Sequence, residues 1–182
     1  MDERILETVA WLKDRGIDGA EVGIVLGTGL GDLAQHIEVE MEFSYNVIPN
    51  FPIATVEFHF GKLIFGTLGG KKVLALQGRY HYYEGYAMGQ IVLPVRVMKL
   101  LGVKQVLLSN AAGAINLDYR KGTLMLVDDH INLQQDNPLR GPNQSELGPR
   151  FPDMSAPYDG KMNQLLREIA KQNEIVLNEG VY

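Results

Sequence analysis

Lys71-Lys72-Val73-Leu74-Ala75-Leu76-Gln77-Gly78-Arg79-Tyr80-His81-Tyr82-Tyr83-Glu84-Gly85-Tyr86 is the stretch from which the fold can be read. Its first half has the apolar run of a buried strand, and Gly78 ends it. Arg79 and His81 follow, two residues apart, so in an extended segment both side chains point the same way. Arginine offers a planar fork of donors and histidine one more, the donor set of an anion site. The tyrosines at 80, 82, 83 and 86 offer amphipathic rings of the kind that line a pocket for a planar, partly polar ligand.

Two further strands run into loops of the same character. Val22-Gly23-Ile24-Val25-Leu26 leads into Gly27-Thr28-Gly29-Leu30-Gly31, where glycines let the backbone approach an anion and Thr28 adds a hydroxyl. Val103-Lys104-Gln105-Val106-Leu107-Leu108 leads into Ser109-Asn110-Ala111-Ala112-Gly113. Strands whose carboxyl ends carry small-residue or cationic loops are the ligand-binding arrangement of open α/β sheets. The expectation is an α/β fold with a central mixed sheet flanked by helices.

The rest of the chain supplies the other elements. Ile5, Leu6, Val9, Ala10 and Leu12 predict one face of a helix stopped by Gly16. Residues 36–58 look mixed, with Pro49 and Pro52 marking a loop. Residues 62–68 and 72–76 flank Gly69-Gly70 and predict a hairpin. Residues 88–101 predict a helix kinked at Pro94. Thr123–Val127 predicts a strand, 159–172 a helix, and Glu174–Leu177 the start of another strand. Between them, 134–157 holds five prolines and little periodicity, a long irregular loop of the functional kind.

Bulk properties exclude several classes. The 182 residues can bury roughly 70% of the unfolded chain's surface in one domain, 1–182, with no linker or repeat. A net charge of −5 argues against general nucleic-acid binding. There is no cysteine, hence no disulfide framework and no thiolate chemistry, which fits a reducing cytoplasm. The N-terminus begins an amphipathic helix rather than a signal peptide, and no apolar run is long enough to span a bilayer. A dinucleotide fingerprint needs glycine where Asp32 stands, and neither a G-x-S-x-G elbow nor a P-loop is present.

Seven blocks together resemble the trimeric purine nucleoside phosphorylase family: GTGLG (27–31), FHFGKLIFG (58–66), QGRYHYYEGY (77–86), SNAAG (109–113), VDDHINL (127–133), NPLRGPN (137–143) and RFPDMSAPYD (150–159). They follow the family's order across nearly the whole chain. The resemblance implies the nucleoside phosphorylase fold and reversible phosphorolysis of purine (deoxy)ribonucleosides to free base and (deoxy)ribose 1-phosphate. Inorganic phosphate is the co-substrate; no metal or other cofactor is expected. A sister branch, the methylthioadenosine phosphorylases, shares the fold, but the segment 79–86 fits the purine nucleoside branch better.

By the same resemblance, Thr28, Arg79, His81 and the Ala111 N–H surround phosphate. His59 lies beside phosphate and ribose on a loop, and Glu84 orients neighbouring groups. His36 and His130 have plainer readings as surface and core residues. Tyr83 contacts the ribose; Ala111, Ala112 and Gly113 pass close to ribose and base; Tyr182 matches a pocket position. Phe151 crosses into the neighbouring subunit of a homotrimer and covers the sugar. Family chains continue past the position of Tyr182 with segments that hold the purine. The expectation is therefore an N-terminal portion of one phosphorylase domain, with little turnover of its own.

Overall fold

The computed structural model describes residues 2–51 and 61–182. The described residues gather into two compact units, one drawn from 2–51, 61–111 and 136–149 and one from 112–135 and 150–182.

The first unit is built on a five-stranded mixed sheet in the order β2-β3-β4-β1-β5. Its strands are β1 (Val22–Leu26), β2 (Glu38–Ser44), β3 (Lys62–Leu68), β4 (Lys71–Gln77) and β5 (Gln105–Leu108). The hairpin at Gly69-Gly70 joins β3 and β4 antiparallel, as expected. β1 lies between β4 and β5 and runs parallel to both. Alternate residues of the central strands therefore enter two different cores. Val25, Leu63, Phe65, Leu74 and Leu76 face one core. Ile24, Leu26, Ile64, Val73 and Ala75 face the other.

Helix α1 (Glu3–Asp14) covers the first face, capped by Asp2, whose carboxylate accepts the Arg4 N–H at 3.1 Å. Its buried residues are Ile5, Thr8, Val9 and Leu12. The expected face included Leu6 and Ala10; instead Leu6 is exposed and Thr8 takes the inward place. The Thr8 hydroxyl makes that burial tolerable through contacts of 2.8 Å to Arg4 O and 2.7 Å to Pro49 O.

Residues 36–58, read only as mixed, include β2, an edge strand paired with β3. Its alternating Glu38, Glu40 and Glu42 concealed it, because acidic residues are poor strand formers; at an edge they are tolerated and deter further pairing. Lys62 pairs with Glu42 at 3.0 Å, and Lys72 pairs with Glu40. The helix expected over 88–101 is two helices, α2 (Met88–Ile91) and α3 (Leu93–Leu100). Pro94 lies in the first turn of α3, where its missing N–H costs nothing, so it starts a helix rather than kinking one.

The second unit contains β6 (Leu124–Asp129), α4 (Gly160–Gln172) and β7 (Leu177–Val181), with β6 and β7 parallel. Asp159 caps α4 through the Met162 N–H at 2.9 Å. Arg167 of α4 reaches Glu179 at 2.8 Å and Asp128 at 2.9 Å, tying helix to both strands. β7 begins three residues later than the start expected at Glu174, which has a φ of 55° and ends the helix instead. No helix or strand lies between β6 and α4, as the proline count predicted.

Candidate active site

The site is set by the register of three parallel strands. Leu26 pairs with Gln77, and Val25 with Leu76 and Leu108. Adjacent strands are about 4.8 Å apart, so the loops after β4, β1 and β5 emerge side by side within about 10 Å. The loop after β1 holds Thr28, that after β4 holds Arg79 and His81, and that after β5 holds Ser109, Asn110 and Ala111.

The glycine loop folds into a turn closed by the Leu30 N–H on Gly27 O at 3.1 Å. Gly29, third in the turn, has a φ of 86°, which a side chain resists. Thr28 is exposed at its tip. Gly27 is required for a different reason: a Cβ there would run into the Ser109 carbonyl and the Asn110 Cα.

Ser109 binds the three loops. Its Oγ accepts the Gly27 N–H at 2.9 Å and donates to Val25 O at 3.2 Å, while its own N–H also donates to Val25 O at 3.2 Å. Its carbonyl accepts from Arg79 Nη1. Arg79 is half-buried, and its guanidinium is thus aimed across the end of β1. Behind Arg79, the buried Tyr45 donates to Gly78 O at 2.8 Å. The sequence reading named Ser109 only as the start of its loop, and gave neither it nor Tyr45 a role. The signal for Ser109 was its place as the first polar residue after an apolar strand, level with a glycine loop on the neighbouring strand.

His81 and Glu84 form a second local unit. Glu84 Oε1 accepts the His81 backbone N–H at 2.9 Å and lies 2.6 Å from Nδ1. One carboxylate thereby fixes both the backbone and the ring of His81, leaving Nε2 for another partner. Tyr83 stacks on the His81 ring at 4.7 Å and is 81% exposed. The tyrosines do not form one ring set, contrary to expectation. Tyr80 is buried in the core against Tyr45 and Tyr86, since a large ring beside a strand end fills the sheet's apolar face. Of the four tyrosines at 80, 82, 83 and 86, Tyr82 and Tyr83 are the exposed pair.

Thr28, Arg79, His81, Tyr83, Glu84 and Ala111 therefore belong to one unit, and the Ala111 N–H makes no hydrogen bond among the described residues. Ala112, Gly113, Phe151 and Tyr182 belong to the second unit. Phe151 is 85% exposed, so it is not anchored in a core of its own unit. Tyr182 exchanges backbone hydrogen bonds with Asp129 at 2.9 Å and Ile131 at 2.8 Å. His59 lies outside the described residues. His36 is exposed, and half-buried His130 meets the Tyr158 hydroxyl at 3.1 Å.

Residues 21–182 match the family model of the Phosphorylase superfamily. The purine nucleoside phosphorylase 1 of Bacillus subtilis is 47% identical over 182 residues, covering 100% of this chain and 67% of that protein. Isoform 2 of the Schistosoma mansoni purine nucleoside phosphorylase, solved with cytosine and ribose 1-phosphate, superposes with a TM-score of 0.92 at 45% identity, covering 100% of this chain and 65% of that one. A schistosome purine nucleoside phosphorylase in complex with hypoxanthine gives 0.93 at 41% identity, with coverages of 100% and 65%. The chain belongs to the purine nucleoside phosphorylase family. It spans about two thirds of the length of these relatives.

Proposed function

We propose that the protein catalyses reversible phosphorolysis of purine (deoxy)ribonucleosides, giving free purine and (deoxy)ribose 1-phosphate for purine salvage in the cytoplasm. The observation that carries this reading is the convergence of the Thr28, Arg79 and Ala111 loops at the carboxyl ends of three parallel strands. In the reaction a phosphate oxygen bonds to the anomeric carbon as the bond from that carbon to the purine nitrogen breaks. The bonding pair leaves with the purine, which a proton or hydrogen bonds must neutralise. No covalent enzyme intermediate is needed, so catalysis is positioning plus electrostatics.

In this scheme Arg79, His81, the Thr28 hydroxyl and the Ala111 N–H hold phosphate beneath the sugar. Charge-assisted bonds of this kind contribute about 1.5–3 kcal/mol each. Glu84 keeps the His81 ring in place. His59 and Tyr83 serve the phosphate–ribose side, and Ala112, Gly113 and Tyr182 the ribose and base. Phe151 covers the sugar of a neighbouring subunit in a homotrimer. Residues 1–182 form part of a single phosphorylase domain.

The test is purified protein with inosine or guanosine and inorganic phosphate, following ribose 1-phosphate and free base together. Equal, phosphate-dependent formation of both is expected. Base release without phosphate, or none, overturns the reading. A second reading is a folded domain that binds phosphate without turnover; the same assay decides it, since turnover near one per second, the low end of typical enzymes, contradicts it.

A further inference from the structure

We infer that Ser109 is a positioning residue that sets the spacing between the glycine loop and the Arg79 guanidinium. This rests on the phosphorolysis reading above. Among the described residues, Ser109 is the one at the strand ends whose own atoms hydrogen-bond both the glycine loop and Arg79. Its hydroxyl holds Gly27, immediately before Thr28, through an accepted bond of 2.9 Å, and it donates to the end of β1 at 3.2 Å. Its carbonyl holds Arg79. The close approach that excludes a Cβ at Gly27 brings the two backbones together at the same point.

The physical consequence is geometric. A phosphate contacted from two loops needs its donors held at a fixed separation, and displacements of about 1 Å in such sites are costly. Arg79 has other rotamers available, and the Ser109 carbonyl selects one that crosses β1. That carbonyl is placed by the residue's two side-chain hydrogen bonds together with its backbone N–H bond to Val25 O at 3.2 Å. With alanine in place of serine the Gly27 N–H loses its acceptor, and the loop bearing Thr28 is free to shift relative to Arg79. Ser109 itself touches no phosphate in this account; it acts through Thr28 and Arg79.

The experiment compares Ser109→Ala, Ser109→Thr and Ser109→Cys in the intact protein. It measures KM for phosphate and for nucleoside, and binding of inorganic phosphate by calorimetry. Ser109→Ala should raise the phosphate KM about tenfold, equivalent to about 1.4 kcal/mol, and the nucleoside KM less than about twofold. Ser109→Thr keeps the hydroxyl and should return phosphate KM to within about threefold of the original. Ser109→Cys keeps the size but not the hydrogen bonding, and should resemble alanine. Equal rises in both KM values, an unchanged phosphate KM, or a cysteine variant matching the wild type each overturn the inference. If Ser109→Ala does not fold, the threonine and cysteine pair decides it. A wild-type protein that neither binds phosphate nor releases purine removes the functional reading and this inference together. Wild-type turnover indifferent to Ser109 removes this inference alone.

Discussion

The Tyr45 hydroxyl donates to the Gly78 carbonyl at 2.8 Å, fixing the chain one residue before Arg79 from within the core. Tyr45 is 3% exposed, and its ring packs edge-on against Phe51 at 5.2 Å. Tyr80, its neighbour at 5.5 Å, is 5% exposed, and its hydroxyl has no hydrogen-bond partner among the described residues. Burial pushes the pKa of both phenols up, so both stay protonated.

The two phenols therefore predict opposite outcomes. Tyr45→Phe leaves the Gly78 carbonyl without its partner and should cost about 1–2 kcal/mol of stability. Tyr80→Phe removes a desolvated hydroxyl and should be neutral or stabilising by up to about 1 kcal/mol. Urea unfolding of both variants checks this. Equal losses would show that the two hydroxyls have the same surroundings.

The Glu179 carboxyl is held below the ordinary glutamate range, first by its hydrogen bond to Arg167. A carboxylate depressed on folding contributes stability above its unfolded pKa, and that contribution is lost as pH falls through the folded value. Glu179→Gln should thus lower Tm slightly at about pH 7, with the difference from wild type shrinking as pH falls below the ordinary glutamate range. A difference that persists at acid pH would assign the effect to packing rather than charge.

Phe151, exposed in its own unit, is proposed to cover the sugar of an adjacent subunit. Light scattering of the intact protein should give a trimer, and a monomer at micromolar concentration would contradict it. Phe151→Ala should raise KM for nucleoside more than KM for phosphate. Equal effects on both would count against contact with the sugar.

Much of the fold was legible because the central strands are continuous apolar runs that end abruptly. Val22–Leu26 and Lys71–Gln77 are strands, with loops at their carboxyl ends, where the pattern placed them. What escaped were features set by tertiary context. β2 carries glutamates at alternate positions and becomes a strand only by pairing with β3. Tyr80 lies among ring-bearing loop residues, and only the sheet face decides that it is core. At the site, Arg79 and His81 stood out by chemical type. Ser109 did not, since a serine after a strand is ordinary until the register puts it level with Gly27.

Arg79 is proposed to hold the phosphate that cleaves the nucleoside. The most direct measurement is the rate of ribose 1-phosphate formation by Arg79→Ala in the intact protein, at saturating inosine and phosphate. Loss of a preorganised charge-stabilising donor predicts a drop of about 10²–10³-fold. A near-normal rate at saturating phosphate would contradict the account and remove Arg79 from the site.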